Sequence, residues 1–95
     1  MSTLVFTPLA EADLLGILNY IAQDRPDTAL RMVAAIRDKC EFLARNPHAG
    51  ERRPEISPVH RCSTIRRWVI FYRVVGDTVE IHRVLDGAQD AGSMF

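Results

Sequence analysis

Three histidines, two cysteines and eleven arginines are the side chains of this 95-residue chain with the chemistry to bind metal, carry protons or grip phosphate. His48, His60 and His82 are scattered, and neither a cysteine nor a carboxylate cluster stands beside any of them at metal-ligand spacing. Each reads as a solvent-facing or rim histidine. His82, between Ile81 and Arg83, is a poor general base without a positioned partner. Cys40 and Cys62 have no metal or redox spacing and read as small buried apolar residues in a reducing compartment. Gly87 and Gly92 stand alone, so no glycine-rich phosphate loop is present, and Gly87 reads as a turn residue. Ser63 and Ser93 lack the surroundings of a nucleophile. The expectation is no catalytic residue, no metal and no cofactor, in a protein that works by binding.

Arg73 is the charge that invites a further reading, because it interrupts the apolar run Trp68 to Val75. A cation in such a strand must reach solvent or find an acid, and Glu80 or Asp77 on a facing strand could supply one. Arg83 poses the same question. The alternative for both is contact with another macromolecule. Arg52-Arg53 and Arg66-Arg67 read as solvated turns. Twelve basic and twelve acidic residues cancel, which argues against strong direct nucleic-acid binding by bulk charge.

The elements that would position these residues are short and well punctuated. Leu4-Val5-Phe6 is a β-type run, followed by Thr7 as a helix cap and Pro8 in the first helical turn. Ala10, Leu14, Ile17 and Ile21 then share one helix face, and Asp13 lies early in that helix, where its charge complements the dipole. Asp24 to Asp27 breaks the pattern, and Pro26 opens a second helix with Ala29, Val33, Ile36, Cys40 and Leu43 on its apolar face, ending before Asn46-Pro47. Two amphipathic helices so closely joined predict an antiparallel hairpin. Leu15, Leu18, Leu30 and Ala34 lie beside the two stripes. They either widen the buried face or form an exposed apolar groove for another protein's helix.

Glu51 to Pro58 reads as a loop and His60 to Ile65 as a weaker strand. Trp68 to Val75 and Thr78 to Leu85, joined by Gly76-Asp77, form the strongest hairpin signal in the chain. The predicted order is β-α-α-β-β-β: one α+β domain over 1–95, with the helical hairpin on one face of a mostly antiparallel four-stranded sheet. The absence of a secretory signal and of any run long enough to span a bilayer leads to an expected cytoplasmic location.

FYR, a Gly-Asp turn and then V-x-I-x-R-V-L-x-G-A-x-D resemble the C-terminal half of ParE toxins, within the ParE/RelE superfamily of type II toxin–antitoxin systems. Thr7-Pro8, Ala10, Asp13-Leu14, Ile17, Tyr20-Ile21-Ala22, Pro26, Ala29, Ile36, Leu43 and Pro47 through Gly50 resemble the helical half. The resemblance implies a toxin that inhibits DNA gyrase by trapping it with cleaved DNA. It also implies a ParD-like antitoxin that neutralises the toxin in a hetero-oligomer. Leu15, Leu18, Leu30 and Ala34 would then meet the antitoxin, and Arg73, Arg83, Asp86, Gln89, Asp90 and Phe95 the target. Two alternatives stand beside this reading. A RelE-type ribosome-dependent mRNA endonuclease would place cations and a terminal tyrosine where Val69, Gln89 and Phe95 stand, and Lys39 is the only lysine. A non-toxic antitoxin-binding module or co-regulator is the other, because the family's H-G-A-R-D loop reads Asp86-Gly87-Ala88-Gln89-Asp90 here.

Overall fold

The computed structural model describes residues 3–55 and 57–87. In order these form β1 (Thr3–Phe6), α1 (Pro8–Ala22), α2 (Pro26–Arg45), β2 (Glu51–Arg52), β3 (His60–Ile65), β4 (Trp68–Val75) and β5 (Thr78–Asp86). The sheet runs β1-β5-β4-β3-β2, with β1 parallel to β5 and the other pairs antiparallel. The class and element order expected from the sequence hold, with one correction: the sheet has five strands, not four. Glu51 and Arg52, expected in a loop, pair with Cys62 and Arg61 on β3. Two residues are too few to show a period-2 pattern, so only the neighbouring strand reveals them.

The helical hairpin packs on one sheet face because the stripes of both helices meet alternate residues of the central strands. Ala10, Leu14, Ile17, Ile36, Cys40 and Leu43 are buried against Trp68, Ile70, Tyr72, Val79, Ile81 and Val84. Each large apolar side chain so buried contributes about 1.5–3 kcal/mol. Val33, expected in that stripe, is only half-buried. The other face carries a smaller cluster of Cys62, Phe71 and Leu85, with Val69 against it. The thiols of Cys40 and Cys62 are free and buried, as expected. Burial pushes the Cys40 thiol up to about 12.

Both two-residue hairpin loops put their first residue at positive φ, Arg66 at 54° and Gly76 at 63°. A primed turn asks for this, glycine supplies it without strain, and an arginine does not. Tyr72, fully buried, ties the loop after α2 to the sheet. Its hydroxyl donates to the Pro47 carbonyl and accepts from the Gly50 N–H, both at 2.8 Å. A Cβ at Gly50 would stand 2.3 Å from that hydroxyl oxygen. Only glycine permits this approach. Arg61 adds a 2.9 Å bond from Nη1 to the Gly50 carbonyl.

Candidate functional site

β1 stops at Phe6, opposite Ile81, so on that side β5 has no strand partner from His82 onward among the described residues. An open strand edge must be covered or paired. The start of α1 does both. The Thr7 hydroxyl accepts from the Ala10 N–H at 3.0 Å, capping the helix, and donates to the His82 carbonyl at 2.7 Å. One turn on, Asp13 Oδ2 accepts from the Val84 N–H at 2.9 Å, taking the place of a neighbouring strand's carbonyl. The same carboxylate receives Arg83 through two parallel bonds, Nε at 2.8 Å and Nη2 at 2.9 Å. The pair is mostly buried, with side chains 13% and 14% exposed. The Asp13 bond holds the Arg83 guanidinium above its already high ordinary pKa. Asp13 is therefore much more than a charge near a helix start.

This junction floors a cleft of about 540 Å³ between α1 and the end of β5, which Gly16, Tyr20, Trp68 and Asp86 also line. Asp86, read from the sequence as a loop residue, is the last residue of β5 and pairs across the sheet with Trp68. Arg67 donates to its carboxylate and lies 5.0 Å over the Trp68 ring. Arg73 is remote from the cleft, on the sheet face away from the helices. It stands opposite Glu80, one of the two acids expected from the facing strand, and donates to it through Nε at 2.8 Å. Arg83 finds its acid on α1, 70 residues away in sequence, where no strand pattern could point. Gln89, Asp90 and Phe95 lie outside the described residues.

The outer side of the helical hairpin is apolar. Leu15 is 58% and Leu30 63% exposed, Ala34 is exposed and Leu18 half-buried. Of the two readings open for these residues, the wide buried face does not hold for Leu15, Leu30 and Ala34. Leu15 and Leu18 line a groove of about 390 Å³ with Leu14 and Val33, and Glu11 and Arg37 stand at its side, paired at 3.1 Å. Leu30 and Ala34, one turn apart on α2, lie outside it. Val33, placed on the apolar stripe by its period, packs half-buried against the core and also lines this groove. It sits where a helix stripe turns from the sheet to the neighbouring helix.

The histidines correct a further expectation. His60 is not at the rim: it is buried, 9% exposed. Its Nε2 lies 3.3 Å from His82 Nδ1, with the rings edge to face at 82°. The two residues belong to β3 and β5, so their rings meet across β4, and their separation in sequence hides the pairing. A register irregularity between Phe71 and Tyr72 places a β-bulge at His82, after which the alternation of β5 shifts so that Val84 again faces the helices. Ser57 Oγ is hydrogen-bonded to His60 Nδ1 at 2.8 Å. Burial, then the charges of His82 and Arg73, holds the His60 imidazole below its ordinary pKa, with Glu80 acting the other way.

Known proteins share this architecture. The family model described as the ParE toxin of the type II toxin–antitoxin system parDE matches residues 4–91. A solved structure of the chromosomal ParDE TA system from P. aeruginosa superposes with a TM-score of 0.80 at 28% identity, covering 90% of this chain and 96% of that one. No curated protein matches the chain. The matched span takes in both helices and all the strands described above save the first residue of β1, including the Asp13–Arg83 junction and the end of β5, and the chain therefore belongs to the ParE toxin family of parDE type II toxin–antitoxin systems.

Proposed function

We propose that this chain is a toxin that inhibits DNA gyrase by holding it in a complex with cleaved DNA, and that a ParD-like antitoxin neutralises it by docking over the helical hairpin. Within a ParE-family chain, the observation that carries this reading is the exposed apolar outer side of α1 and α2, with Leu15 and Leu30 more than half exposed. Burying such side chains against the apolar face of a partner helix contributes about 25 cal/mol for each Å² removed from water. Leu18, Val33 and Ala34 extend the surface, and the Glu11–Arg37 pair gives it a polar margin. On the target side, Arg73 and Asp86 with Gln89, Asp90 and Phe95 form the proposed contact set. Arg83 acts there through Asp13 as a support for β5, because both Nε and Nη2 are already engaged. The toxin works by binding and turns over no substrate.

The test incubates the purified chain with gyrase, ATP and supercoiled plasmid, followed by detergent and protease. The expected product is linear DNA, which disappears when antitoxin is added. Absence of linear DNA from a preparation that binds antitoxin refutes the gyrase reading. Leu15→Glu should still yield linear DNA and resist neutralisation.

A further inference from the structure

We propose that His60 and His82 form a binding site for a divalent transition-metal ion of the zinc, nickel or copper class, on the sheet face away from the helices. The inference is independent of the gyrase reading. Its basis is the distance and support of two imidazole nitrogens. Zinc–imidazole bonds are about 2.0–2.1 Å long, so two nitrogens of a tetrahedral site stand about 3.3–3.4 Å apart. His60 Nε2 and His82 Nδ1 are separated by 3.3 Å. The ion takes the place of the proton that the two rings share, at a point about 1.2 Å off the line between the nitrogens. A small rotation of each ring turns both lone pairs toward it.

The surroundings suit that exchange. A metal-bound histidine generally donates its other ring N–H to a fixed acceptor, which sets the tautomer and the ring orientation. Ser57 Oγ stands at that position on His60 Nδ1, 2.8 Å away. With Nδ1–H donated to Ser57, Nε2 carries the lone pair that faces His82. The two ligands come from β3 and β5, held on either side of the central strand β4, and sites on such elements are better fixed than sites on loops. Alternation along β5, with Val79 and Ile81 in the core on the helix side, puts His82 on the opposite face, where its ring meets that of His60 across β4. Arg73 and Glu80 stand beside the pair and are hydrogen-bonded to each other, so their charges largely offset.

No group of three or more His, Cys, Asp or Glu side chains suited to a metal converges among the described residues. Among the described residues the site therefore has two protein ligands, with further coordination positions left for oxygen ligands such as solvent. Imidazole ligation selects zinc, copper and nickel, while magnesium and calcium require oxygen donors. A bound ion would cross-link β3 to β5 over β4 and fix the Ser57 segment.

The full chain is titrated with zinc chloride, and separately with magnesium chloride, by calorimetry. Co²⁺ binding is followed by visible absorption. The expected result is one zinc per chain, no magnesium binding and the absorption of tetrahedral cobalt. His82→Gln should lower zinc affinity by at least about tenfold, and Ser57→Ala by about 10–100-fold, the range for a supporting residue. His48→Ala should leave zinc affinity unchanged, because His48 is an exposed histidine after α2, outside the pair. If a variant fails to fold, ring NMR signals in the unsubstituted chain decide, since zinc must shift those of both His60 and His82. Absence of stoichiometric zinc binding, undiminished affinity in His82→Gln, loss of binding in His48→Ala, or His60 and His82 signals that zinc does not shift would each overturn the proposal.

Discussion

Replacing Asp13 with alanine removes, in a single change, the partner of a mostly buried guanidinium and the acceptor of a strand-edge N–H. Arg83 is 13% exposed on its side chain and gives two bonds to the carboxylate, and the Val84 N–H gives a third. Breaking a buried ion pair from one side costs about 3–5 kcal/mol, because the remaining charge stays buried without compensation. The unsatisfied Val84 N–H adds about 1–3 kcal/mol. A domain of this size has a total stability of roughly 5–14 kcal/mol, so Asp13→Ala should consume a large share of it. Arg83→Met should cost less, since Asp13 then keeps Val84 and the arginine's apolar stem is replaced. In the double variant the orphaned guanidinium is absent, so its loss should fall short of the sum of the singles by about 2 kcal/mol or more, beyond the 0.3–0.5 kcal/mol expected of independent sites. Urea unfolding followed by the single tryptophan, Trp68, measures all four corners of this cycle. The coupling should persist at high salt, because burial shields the pair from screening. A loss under about 1 kcal/mol for Asp13→Ala, or additive single losses, would refute the view that this carboxylate holds α1 to the edge of β5.

Tyr72→Phe should destabilise the fold by about 1–3 kcal/mol, since the Gly50 N–H and the Pro47 carbonyl both lose their partner, and Gly50→Ala should cost more by displacing the ring; chemical denaturation compares the two. The native fold favours the neutral Cys40 thiol, whose pKa is raised from 9.0 to about 12. Its contribution is therefore fully present below pH 9 and is lost as pH rises from 9 toward 12, at up to about 1.4 kcal/mol per pH unit. Urea midpoints across that range should fall less steeply in Cys40→Ala. Arg66→Gly should raise stability by up to about 1 kcal/mol by relieving the left-handed backbone at φ 54°, against glycine's greater unfolded-state entropy; a rise in thermal midpoint checks it.

The Asp13–Arg83 junction bears on how activity data are interpreted. Arg83 belongs to the residues proposed from the family resemblance to meet the target, yet its guanidinium is engaged with α1. An inactive Arg83 variant would thus report on β5 stability as well as on contact. Arg73 is the cleaner probe. Its side chain is 43% exposed and its pair with Glu80 is a surface one, worth roughly 0–1 kcal/mol, so a change in target binding there is not masked by unfolding.

What the sequence by itself determined is whatever depends on period and punctuation. The 3.6-residue stripes of Ala10, Leu14 and Ile17 and of Ala29, Ile36 and Cys40 set both helices, and Thr7, Pro8 and Pro26 set where they start. The β-rich runs on either side of Gly76-Asp77 set the central hairpin. The acid facing Arg73 was legible to within two residues, Glu80 and Asp77, because a hairpin's turn brings its strands side by side, and the structure selects Glu80. Tertiary structure alone decided the contacts between elements distant in the chain. Asp13 meets Arg83 because β1 is too short to cover β5 and α1 takes over the edge. His60 meets His82 because β3 and β5 flank β4 and both side chains lie on the sheet face away from the helices. Glu51-Arg52 becomes a strand because β3 offers it an edge, and Leu15 stays exposed because the sheet has room for only one stripe of α1. None of these leaves a period in the sequence: each is set by how elements end and pack in three dimensions, at separations where local pattern carries no information.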